Sequence, residues 1–226
     1  MGLFSRKPKA NAIDFSREFY DQYVFGSVRG VDLEATYAEV VRKNVCESDS
    51  SFAAVSLEDL TEELRAMHLE MIGTAWLHRS KWRSRVEIAV AVSKFTKQYL
   101  ADLDRSDLWD AMGAYNQIVA QSATKGESKH LQAFTSLQRA DLFDSLIAGE
   151  SDREWVADVI GRVVNRIGSE RSRKTGKMQG FVGIRAISRL GIEGSDHFQI
   201  VKDLAAVVHG FYQGATEALD NVKLTV

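Results

Sequence analysis

One cysteine and one proline in 226 residues set the first limits. Cys46 has no second thiol in the chain, so neither an intrachain disulfide nor a multi-cysteine metal site can form, and the expected compartment is the reducing cytoplasm. Pro8 is the only proline, so nothing of that kind interrupts a helix beyond the N-terminus. No stretch approaches the roughly 18 uncharged apolar residues a membrane-spanning helix needs, and none is expected. The opening MGLFSRKPK lacks the apolar run and cleavage site of a secretion signal. Arg6 stands where a myristoylation pattern needs Ser or Thr.

The 45% hydrophobic content can bury a continuous core, and 27% charged residues do not point to disorder. Net charge is only −2, but it is segregated. Residues 1–9 carry +3, RSKWRSR (79–85) carries +4 and residues 162–185 carry +6, leaving −15 for the remainder. Local charge therefore says more about partners than the total does.

Helical periodicity dominates. DFSREFYDQYVF (14–25) spaces Phe15, Phe19 and Tyr23 along one face, with Asp14 as cap and Gly26 as stop. DLEATYAEVVRKN (32–44) reads as a helix capped by Asp32, with Leu33, Tyr37 and Val40/Val41 inward. The strongest pattern starts at Ser56. Leu57, Leu60, Leu64, Met67 and Met71 alternate steps of three and four, and nothing obliges the helix to stop before about Leu103. So long a helix is expected to kink or break near 79–84. Further helices are expected over 106–123, 127–149, 151–168 and 195–221. The glycine-dense 168–194 region is predicted to be mostly loop, with a short helix over 184–190 or a small hairpin within 177–187. The fold class is all-α: an elongated multi-helix bundle with one long helix (about 57–103) and a glycine-rich basic loop before the last two helices. Residues 1–11 are expected to be a flexible tail and 12–226 a single helical domain.

The stretch GSERSRKTGKMQGFVG (168–183) resembles a phosphate loop only superficially. Aligning Gly176-Lys177 puts Arg171 where the first glycine belongs and Met178 where the hydroxyl that holds Mg²⁺ belongs, and a helix, not a strand, precedes it. Arg162 and Arg166 are expected to complement the negative end of a helix dipole, and Arg171, Arg173, Lys174 and Lys177 to form solvated surface. The sharper alternative is an anion-binding loop, in which these side chains clasp phosphate.

The other basic segment supplies His78, Arg79, Lys81, Trp82 and Arg85. Projected on one continuous helix, His78, Trp82 and Arg85 fall on the core-facing side, where a histidine and an arginine need partners. Either a carboxylate from another helix meets them, or a break turns them to solvent. Metal binding finds no complete pattern. Glu127 and His130 give one Glu-x-x-His pair, a second is absent, and Glu63, Glu70 and His68 do not complete a di-iron set. Neither metal nor cofactor is expected. Nucleophilic chemistry lacks support as well, since Cys46 has no adjacent histidine and no Ser sits in a G-x-S-x-G turn.

No complete catalytic constellation being present, the first functional expectation is a non-enzymatic interaction or regulatory module, with a protein partner or a homodimer. One alternative is an anion binder (nucleic acid, a phosphorylated ligand or an acidic membrane lipid) that uses segments 79–85 and 171–177 together. The other is an enzyme with a site near His78 and Arg85. A deep polar pocket with convergent charges would count against the first.

Overall fold

The computed structural model describes residues 7–27, 30–46, 52, 54–80, 82–121, 152–170, 177–192 and 198–226. The expected 127–149 helix, with Glu127 and His130, lies outside them, as do Lys81, Arg171, Arg173 and Lys174. Among the described residues the fold is all-α: α1 Ala12–Tyr23, α2 Leu33–Cys46, α3 Leu57–Arg79, α4 Trp82–Asp102, α5 Ser106–Gln121, α6 Arg153–Gly168, α7 Lys177–Arg189 and α8 Phe198–Ala218. The one sheet among the described residues is a parallel ribbon of β1 (Lys9–Asn11) and β2 (Lys223–Thr225).

Helix α3 is the axis of the bundle. It packs against α2, α4, α5, α6 and α8, and almost every residue from Leu60 to His78 is buried. Ser56 caps it, its Oγ accepting from the Asp59 amide at 2.9 Å. A helix surrounded on all sides must bury its polar residues too, and Glu63, His68, Glu70 and His78 are all inside.

The long helix breaks where expected. Ser80 leaves the helical region at φ −73°, ψ 150°, and α4 begins two residues later. His78 and Arg85 do not turn to solvent at the break, however. Arg85 donates to Glu170 Oε2 at 2.9 Å and to the carbonyls of His78 (3.2 Å) and Ser80 (3.4 Å), so its guanidinium caps the end of α3.

Several elements depart from the expected phase. Asn11, not Asp14, caps α1, its Oδ1 accepting from the Ile13 and Asp14 amides at 2.8 and 3.2 Å. Asp32 does cap α2, but that helix turns Glu34, Ala38 and Val41 inward and leaves Tyr37 and Val40 exposed. The burial of Glu34 against His68 sets this rotation. Helix α7 runs through Gly180 and Gly183, where a loop or hairpin was expected. A Cβ at Gly183 would lie 2.9 Å from the Val201 carbonyl oxygen, so glycine there lets α7 and α8 approach closely.

Arg162 and Arg166, expected as complements to the helix dipole, are core residues at 5% and 2% exposure. Arg166 donates to Glu70 through Nε (2.9 Å) and Nη2 (2.6 Å), and Nη1 reaches Ser93 Oγ at 3.0 Å. Asn116 Nδ2 completes the set by donating to Glu70 Oε1 at 3.0 Å. Burial opposes the charged guanidinium, but Glu70 more than offsets it and leaves the Arg166 pKa above the ordinary arginine value. Arg162 lies over the Trp109 ring at 3.7 Å and donates to Asp158 at 3.0 Å. There burial prevails over Asp158 and lowers the pKa. Two glycines make room: a Cβ at Gly73 would sit 2.7 Å from Arg166 Cζ, and one at Gly113 would sit 2.9 Å from Arg162 Nη2.

Residues 9–11, expected in the flexible tail, form β1. The Lys223 amide donates to the Pro8 carbonyl at 2.9 Å, and Thr225 Oγ1 to the Ala10 carbonyl at 3.2 Å. The last helix accordingly ends at Ala218, three residues short of the expected 221, and the chain straightens into β2.

Candidate functional site

The ribbon builds a basic cleft. Lys9 and Lys223 are register partners in the parallel ladder, so two cations stand side by side. Like charges directly opposed across strands repel, which is locally destabilising. Lys7 precedes β1 with its Nζ 3.5 Å from the Leu219 carbonyl, and Arg79 enters from the end of α3. These four bases line a cavity of about 580 Å³. Leu219, Val222 and Leu224 supply an apolar part of its wall. Asp220 pairs with Arg79, both half-exposed, and is the one carboxylate seen to meet this group among the described residues. Lys9 and Lys223 have no ion-pair partner among the described residues.

The residues singled out from the sequence divide as follows. Arg79 lines the cleft. Lys177 is the exposed first residue of α7. Trp82 opens α4, its side chain outside the described part. His78 and Arg85 are taken up by the fold. His78 Nε2 lies 2.9 Å from the Arg166 carbonyl, which can only accept, so this nitrogen carries the hydrogen and Nδ1 accepts from the Tyr212 hydroxyl at 3.2 Å. Arg85–Glu170 is an ion pair between the 79–85 and 162–185 segments. Arg79 is brought together with the chain ends, not with Lys177. Lys7 and Lys9 were visible as a basic tail, but nothing local to either end indicated that Lys223 would lie beside them.

A second concave feature lies between α1, α2, α3 and α8. Phe19, Tyr23, Tyr37, His68 and Phe211 wall a pocket of about 260 Å³. The His68 ring stacks on Phe211 with centroids 4.1 Å apart and planes 11° from parallel. Behind it, Glu34 Oε1 lies 2.5 Å from His68 Nδ1.

Among the described residues no three His, Cys, Asp or Glu side chains gather as metal ligands, and no helix is long and apolar enough to cross a membrane. Comparison with protein-family models, curated proteins and solved structures finds no match.

Proposed function

We propose that the protein is a binding module for a small phosphorylated ligand, held in the cleft of Lys7, Lys9, Arg79 and Lys223. The observation that carries this reading is the in-register pairing of Lys9 with Lys223 beside Arg79. A phosphate between them would relieve their repulsion and accept charge-assisted hydrogen bonds from all of them. The concave shape and the apolar wall of Leu219, Val222 and Leu224 suit an organic body attached to the phosphate better than a duplex or a flat lipid surface. The cleft is also the convergent charged pocket that weighs against a purely protein-binding role. Segment 171–177 plays no part in this reading.

Calorimetric titration with phenyl phosphate, at low and at high salt, tests it. Binding should weaken as salt rises, and Lys9→Gln and Lys223→Gln should each weaken it about tenfold or more. Binding of benzyl alcohol with equal affinity, or salt-insensitive binding, would sink the reading. A protein-interaction role is the second reading, favoured by Phe181 and Ile184, exposed and three residues apart on α7. The single cysteine fits a cytoplasmic setting for either.

A further inference from the structure

The aromatic pocket beside α8 is independent of the basic cleft and has a chemistry of its own. We propose that it binds a small aromatic alcohol, one hydroxylated ring, whose hydroxyl meets His68 Nε2. Glu34 is fully buried and, as a carboxylate, can only accept, so His68 Nδ1 carries the hydrogen between them. The other ring nitrogen, Nε2, has no hydrogen-bond partner among the described residues, although His68 lines the pocket. Among the described residues Glu34 Oε2 is likewise buried without a hydrogen-bond partner and the carboxylate meets His68 only, so it orients the ring.

A hydroxyl is the group that suits Nε2 in either protonation state. It donates to the bare nitrogen of the neutral ring and accepts from the N–H of the charged one. The walls specify the rest of the ligand. Phe19 and Tyr23 stand with centroids 4.6 Å apart, and Tyr37 meets Phe211 edge-on at 5.6 Å, offering ring faces and edges to an aromatic guest. An apolar cavity of about 150 Å³ accommodates benzene. At about 260 Å³ this one has room for a single substituted ring.

Two glycines keep the pocket open. Gly210 and Gly214, one turn apart on α8, both line it, and a Cβ at either would meet nothing within 4 Å. A side chain there would enter free space, which makes these positions suitable for a blocking substitution.

The test titrates full-length protein labelled with ¹⁵N-histidine with p-cresol, and separately with toluene, following the ring nitrogens by NMR. The His68 signals are assigned by their loss in His68→Gln. The proposal expects p-cresol to move the His68 Nε2 resonance saturably and to bind at least about tenfold more tightly than toluene. Gly214→Leu should abolish the response with a melting temperature no lower than wild type, leucine being the better helix former, with Gly210→Leu as the substitute should that variant unfold. Lys9→Gln/Lys223→Gln should leave the response unchanged, so failure of the phosphate reading would not touch this one. An unmoved His68 resonance up to the solubility limit of p-cresol overturns the proposal, as does a response that survives both leucine variants or equal binding of toluene. A wild-type dimer that dissociates in Gly214→Leu and ignores p-cresol overturns it in favour of a second copy of the chain as occupant.

Discussion

Replacing Arg166 by methionine, or Glu70 by leucine, should each destabilise the protein far more than replacing both. The two side chains are 2% and 0% exposed and joined by two hydrogen bonds, so neither charge has water to fall back on. Removing one partner of such a pair costs about 3–5 kcal/mol, because it strands the other charge in the core. In Glu70→Leu the guanidinium keeps, among the described residues, only Ser93 as a side-chain partner, and in Arg166→Met the carboxylate keeps Asn116 and Thr74. The double variant strands no charge and roughly preserves volume. What it loses are neutral contacts: Asn116 still donates to the Arg162 carbonyl at 3.1 Å, and Ser93 loses one partner. The double variant should therefore lie within about 2 kcal/mol of the parent. For a chain of this length each kcal/mol corresponds to about 2–4 °C in Tm, so the singles should melt about 6–20 °C lower. Urea unfolding followed by far-UV circular dichroism, closed as a double-mutant cycle, gives the coupling directly. Single variants that each lose less than about 1 kcal/mol, and that add in the double, would refute the claim that Glu70 and Arg166 meet in the core.

Other consequences are open to similar measurement. Gly73→Ala should destabilise, despite a helix-propensity gain of about 1 kcal/mol, since its methyl would press on a guanidinium fixed by Glu70 and Ser93. In the Glu70→Leu/Arg166→Met background the same change should become neutral or stabilising, and chemical denaturation reads the sign. Burial pushes the Tyr20 hydroxyl up from 10.0 to about 12, with its hydrogen bond to Thr96 opposing. Its proton is thus held more tightly in the folded state, so this contribution is intact below pH 10 and fades as pH rises through 12, about 3 kcal/mol in all. Tyr20→Phe should flatten that part of the pH–stability curve, while Tyr115, also raised by burial and by Glu63, keeps its own share. Lys9→Glu should stabilise by about 0.2–1 kcal/mol through a cross-strand pair with Lys223 while weakening phenyl phosphate binding. Asp152→Ala, which removes the acceptor of the Glu154 and Trp155 amides, should cost about 1 kcal/mol.

The elements legible in the sequence are those whose signals are local. The Ser56 cap and the three-four spacing of Leu57 to Met71 define the start of α3. The break near its end was legible from length alone, since a helix running from Leu57 to about Leu103 is too long for a globular bundle. The phase of α2 is only partly legible: Val41 is inward as expected, but apolar counting also favours Tyr37 and Val40, whereas the helix buries Glu34, which meets a histidine on another helix. Arg162 and Arg166 read from the sequence as complements to a helix dipole, a role that needs nothing beyond their own helix. Their burial depends on groups remote in the chain, Glu70 for Arg166 and the ring and carbonyl of Trp109 for Arg162. Of the candidate cleft only Arg79 and the basic tail were visible. The side-by-side placement of Lys9 and Lys223 depends on the two ends of the chain meeting.

The glycines beneath the two core arginines also bear on how this sequence could change over generations. While position 166 is arginine, position 73 has no room for a side chain, and positions 162 and 113 are tied in the same way. The order of substitution therefore matters: a lineage that first shortens the arginine frees the glycine to vary, whereas one that first fills the glycine meets a steep loss of stability. Each pair is a one-way gate. Arginine at 166 or 162 should therefore occur only with glycine at 73 or 113, whereas glycine without the arginine is allowed.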